Sequence, residues 1–110
     1  MRRPHTYHPQ TLATAELLGL EIARVRRERR WTTKDLAERA GISPVTLRKI
    51  ERGSPTVELG SAFEVATLLG ILLFAPDRKE LSTLIEHART RLALLPERVR
   101  ESDRMDHDAF

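Results

Sequence analysis

Apolar residues in this chain recur at intervals of three and four, the period of a helix, and the central region has no strand-like alternation. The spacing predicts five helices. The first runs from about residue 11 to residue 30, with Leu18, Ile22 and Val25 on one stripe. The second opens at Thr32, whose hydroxyl can cap the free amides of the first turn, with Asp35 at the reciprocal position. Trp31 and Leu36 flank that cap as a hydrophobic staple, and Gly41 ends the helix by accepting a left-handed conformation. Ser43 and Pro44 restart the chain as a third helix, because serine caps and proline lacks only an amide that would be unpaired anyway. Ile42 and Leu47 repeat the staple, and Gly53 closes the helix after Arg52. The fourth is expected from about 57 to 69, with Leu59, Phe63, Ala66 and Leu69 facing inward and Gly70 at its end. The fifth starts at the box formed by Asp77 and Glu80 and carries Leu81, Leu84, Ile85, Ala88, Leu92 and Leu95 as a continuous apolar stripe until Pro96.

This is an all-α pattern, and 110 residues suit one domain of ordinary size. Residues 11–95 are expected to form that domain. Residues 1–10, with two prolines and two histidines, read as an irregular arm. Residues 96–110 read as a flexible acidic tail, because few apolar side chains are left there to order it. The fifth helix has more apolar surface than a four-helix core needs. Covering that core and forming a dimer seam are both open to it.

Charge is divided unevenly. Residues 1–53 hold 12 basic and 6 acidic side chains, whereas residues 54–110 hold 7 and 10. Sixteen of the 19 basic residues are arginine, the side chain suited to bidentate contacts with phosphate and guanine. The absence of cysteine excludes disulfides and thiolate zinc sites. His5 and His8 lie near a terminus and His87 and His107 are isolated, so no metal site is expected. There is no phosphate loop, no nucleophile–histidine pair and no paired carboxylates, so neither an enzyme nor a cofactor is expected. The richest apolar run, from 68 to 76, is far shorter than the roughly 18 residues that a membrane span requires. The basic start has no apolar stretch after it, so no signal peptide is expected and the cytoplasm is the default location.

The informative segment is the pair of capped helices joined by a glycine turn, a helix-turn-helix. At about 100° per residue, Pro44, Val45, Arg48, Lys49 and Arg52 fall on one side of the third helix. Thr46, Leu47, Ile50 and Glu51 fall on the other. Three cations around a small apolar patch suit a helix in the DNA major groove, where phosphates, guanine edges and thymine methyls must all be met. Ala37 is small where the two helices would cross.

From Leu18 to Leu73 the sequence resembles the helix-turn-helix domain of phage-repressor-like (Xre) regulators. The likeness rests on Thr32-Thr33-Lys34-Asp35-Leu36-Ala37-Glu38-Arg39-Ala40-Gly41-Ile42-Ser43, followed by Leu47, Ile50, Glu51, Arg52 and Gly53. It implies a five-helix repressor-like fold that binds a double-stranded operator as a homodimer. Base reading then falls on Pro44, Val45, Thr46 and Lys49, and a phosphate contact on Thr33. Ser43, Arg48 and Arg52 complete the expected DNA-binding set. The family's buried pair between the first and third helices maps onto Arg26 and Glu51. Phage-type repressors often have Gln at the positions of Pro44 and Val45, and here neither amide is present to read adenine.

Beyond this region the chain resembles a narrower branch, the HipB-type antitoxins that partner HipA-type kinase toxins. The segments concerned are 57–66, 69–74, 92–100 and the acidic end at Phe110. That likeness implies a repressor that also neutralises a toxin. Phe110, a lone aromatic flanked by acidic residues, reads as a short docking element for a basic groove on a partner. A solubilising tail is the other reading of the same residues. A free-standing regulator without a toxin, or a protein-interaction adaptor, are the alternatives for the whole chain.

Overall fold

The computed structural model describes residues 6–99, and within them the chain forms five helices and no strand. These are α1 (Pro9–Glu28), α2 (Thr33–Ala40), α3 (Pro44–Glu51), α4 (Leu59–Leu68) and α5 (Arg78–Ala93). The chain divides between Leu73 and Phe74 into two compact units.

The first unit holds α1 to α4. Its core is Ile22, Leu36, Ala37, Leu47, Ile50, Val65 and Leu69, all buried. Leu18, Val25, Trp31, Ile42, Val57 and Ile71 pack around it, each partly exposed. α3 lies against both α1 and α2, and α2 also packs on α4. Ala37 is 1% exposed, and its small side chain allows the close crossing in the helix-turn-helix.

Several boundaries differ from those the sequence suggests, each for a local reason. α1 begins at Pro9, two residues earlier than the spacing suggests, because His8 caps it by accepting a hydrogen bond from the Gln10 amide (3.1 Å) and Pro9 takes the first helical position. α1 ends at Glu28, two residues early, where Arg30 turns left-handed (φ 59°). α4 starts at Leu59, because Glu58 caps it with backbone alone. The inward stripe of α4 is also shifted. Ala62, Val65, Ala66 and Leu69 are buried, whereas Leu59 is 67% and Phe63 37% exposed. Leu59 and Phe63 instead line an open groove of about 560 Å3 with Leu18, Ile50, Pro55 and Val57.

The second unit is α5 with its flanking segments. Asp77 caps the helix by accepting from the Glu80 amide (2.8 Å). None of its residues is buried, and Leu84, Ile85 and Leu92 remain about half exposed or more. A single helix has nothing within its own unit to bury such a stripe against. Residues 96–99 have no regular structure, and the rest of the expected tail lies outside the described residues.

Candidate nucleic-acid interface

The candidate interface is built from the two helix starts and the turn between them. Thr32 Oγ1 accepts from the Asp35 amide (3.0 Å), and Asp35 Oδ2 accepts from the Thr32 amide (3.2 Å), which closes a capping box. Hydrogen bonds from Thr32, its side chain first and its amide second, hold the Asp35 carboxyl below its ordinary pKa. Thr33, the first residue of α2, thus sits half-buried at a fixed helix N-terminus.

α2 stops in a left-handed Gly41 (φ 71°). Amides of Gly41 and Ile42 are returned to the carbonyls of Glu38 (3.2 Å) and Ala37 (3.0 Å). Ser43 then caps α3 by accepting from the Thr46 amide (3.1 Å) while its hydroxyl donates to Thr46 Oγ1 (3.0 Å). Ser43, Val45, Arg48, Lys49 and Arg52 are exposed, with Val45 at 52%, and Pro44 and Thr46 are half-buried beside them. Among the described residues no carboxylate forms an ion pair with Arg48, Lys49 or Arg52. Their charge is free to meet an anion.

The back of α3 is fixed to α1. Arg26 donates through Nε to Glu51 Oε2 (2.7 Å) and through Nη2 to Glu51 Oε1 (3.1 Å), a bidentate fork. Its Nη1 donates to the Trp31 carbonyl (2.9 Å), so one guanidinium joins α1, α3 and the entry to α2. Both side chains are about one-tenth exposed, and the Glu51 hydrogen bonds raise the Arg26 pKa. Gly19 lets α1 approach closely. A methyl group there would come within 2.5 Å of the Ile50 carbonyl oxygen and 2.6 Å of that of Glu51. The orientation of α3 is therefore set by backbone contact as well as by the ion pair.

Sequence reasoning missed two arginine arrangements. Arg29 donates to the carbonyls of Leu68 (3.3 Å) and Leu69 (2.9 Å) and so caps the end of α4. Arg29 and Arg39 also lie over the Trp31 ring, at 5.6 and 4.5 Å from its centroid. The second arrangement is a basic cleft between α1 and α3, lined by Arg24, Arg27, Arg48 and Arg52. Both depend on contacts between distant parts of the chain, which leave no periodic signal. Among the described residues no group of three His, Asp or Glu side chains could hold a metal, and no helix is long and apolar enough to cross a membrane. Phe110 lies outside the described residues.

Comparison with known proteins adds one finding. Residues 22–73 match the helix-turn-helix family, which supports a DNA-binding regulator of transcription. No curated protein and no solved structure matches the chain.

Proposed function

We propose, with residues 22–73 as a helix-turn-helix, that this chain is a sequence-specific repressor that binds its operator as a homodimer. α3 enters the major groove with Pro44, Val45, Thr46 and Lys49 against base edges. Arg48 and Arg52 meet phosphates on its flanks, and the N-terminus of α2 at Thr33 receives another, drawn by free amides and the helix dipole. The observation that carries this reading is the exposed, unpaired set Arg48, Lys49 and Arg52 on a helix whose opposite face is locked to α1 by Arg26 and Glu51. In this reading residues 11–95 serve DNA binding and dimerisation together, with the exposed stripe of α5 as the dimer seam. Two linked half-sites raise affinity and specificity beyond what one module attains.

The test is binding to a duplex selected by the wild-type protein from a random-sequence pool. Arg48→Ala and Lys49→Ala are expected to weaken binding with helicity unchanged, because both side chains face solvent. Wild-type affinity in both variants at two salt concentrations would remove α3 from the interface.

The likeness of residues 57–66, 69–74 and 92–100 to HipB-type antitoxins extends this reading to a second partner, a HipA-type kinase toxin. Co-purification with the product of the neighbouring gene tests that extension. A stand-alone regulator is the conclusion if DNA is bound and no kinase is retained. An adaptor is the conclusion if the reverse holds.

A further inference from the structure

The exposed face of α3 continues into the cleft between α3 and α1, about 350 Å3 in volume. It is lined by Leu20 and Ala23 and by four arginines: Arg24 and Arg27 from α1, Arg48 from α3 and Arg52 from the C-cap of α3. These cations are not equivalent. Arg24 is already neutralised, with Nη2 2.8 Å from Glu21 Oε2 and Nη1 2.9 Å from Glu28 Oε2. Glu51, the one carboxylate lining the cleft, is taken up on both oxygens by Arg26. Arg27, Arg48 and Arg52 are exposed, and among the described residues no acid forms an ion pair with any of them. Three uncompensated guanidiniums from two helices thus face one concave site. Such an arrangement repels itself unless an anion with several oxygens is shared among them.

We propose that this cleft holds one phosphate of the DNA backbone, with Arg27 of α1 as its principal added ligand. The proposal rests on the DNA-binding reading above and deepens it by making α1 a DNA-contacting element. Continuity with the exposed face of α3 favours DNA over an acidic protein segment. A strand that passes α3 in the major groove brings its phosphates along the flanks of that helix, where Arg48 and Arg52 border the cleft. Arg27 carries no sequence information in this position. It anchors register and strengthens binding to any duplex.

The experiment compares wild type, Arg27→Gln and Lys49→Ala on two duplexes. One is selected by the wild-type protein and the other is of unrelated sequence. Affinity is read by fluorescence anisotropy across a salt series. Loss of one phosphate contact is expected to reduce the slope of log K against log salt by about 0.9 and to weaken both duplexes about fivefold near physiological salt. The ratio of the two affinities stays unchanged in Arg27→Gln and falls in Lys49→Ala. Arg27→Lys, which keeps the charge, recovers most of the slope.

An unchanged slope in Arg27→Gln, with Lys49→Ala still impaired, would overturn the cleft proposal and leave the DNA-binding reading standing. Failure of the selection to yield any duplex that the wild-type protein binds would overturn that reading itself. A normal slope in Arg27→Gln together with a lower sedimentation coefficient would make the cleft a protein seat and overturn the phosphate assignment.

Discussion

The Arg26–Glu51 pair shows how one side chain can decide whether α3 is correctly placed. Removing Glu51 leaves an arginine that is 9% exposed with its charge unmatched, while Trp31 retains only a carbonyl for it. Glu51→Ala is therefore expected to lose roughly 3–5 kcal/mol in urea melts. A loss within about 0.5 kcal/mol would mean that water reaches the pair freely. Asp35 acts at the same scale but at the surface. Its folded pKa lies below the ordinary value, so the capping box stabilises α2 fully above about pH 4. That contribution is lost as pH falls through the lowered pKa. Urea midpoints of wild type and Asp35→Asn are expected to differ near neutral pH and to converge as pH falls through the lowered pKa. A gap that stays constant across this range would assign the difference to something other than the carboxylate.

At the scale of elements, the four helices of the first unit end in the same way, with an amide returned to the carbonyl five residues earlier. Three of these ends place glycine in the left-handed position: Gly41, Gly53 and Gly70. The fourth places Arg30 there, at φ 59°. A side chain in that conformation costs about 1–2 kcal/mol, part of which glycine gives back as unfolded-state entropy. Arg30→Gly is expected to stabilise the fold by about 0.5–1 kcal/mol, read as a higher thermal midpoint. A lower midpoint would show that the Arg30 side chain contributes more than its backbone costs.

Helix punctuation explains much of what was legible in the sequence. Thr32, Gly41, Ser43, Pro44 and Gly53 each act through their immediate neighbours, so α2, α3 and the turn could be read to the residue. The end of α1 was misread because arginine occupies a position where glycine is the usual signal. The face of α4 was misread because Leu59 and Phe63 have the spacing of core residues. Small Ala62 and Ala66 fill the tight contact instead, and the larger side chains are left at the open groove. The exposed cations of α3 were visible as a helical face. The cleft that Arg27 shares with them was not, since it exists only once α1 and α3 are packed together.

At the scale of the whole molecule, the nine buried hydrophobic residues among those described lie between Ile22 and Leu69, all within the first unit. A chain truncated after Leu73 is expected to unfold cooperatively and to sediment as a monomer where the full chain sediments as a dimer. A truncated chain that still dimerises would move the seam from α5 to the first unit, where Leu12, Leu17, Leu20, Leu59 and Phe63 are among the exposed apolar side chains.

The starts of α2 and α3 are the surface proposed to meet DNA. Amide chemical shifts of the full chain, followed as a selected duplex is added, test it most directly. The expected result is a set of large shifts at Thr33, Ser43, Val45, Thr46 and Lys49, with small ones at the buried positions Ile22 and Val65. Shifts confined to α5 or to the groove at Leu59 and Phe63, with α3 unmoved, would contradict it.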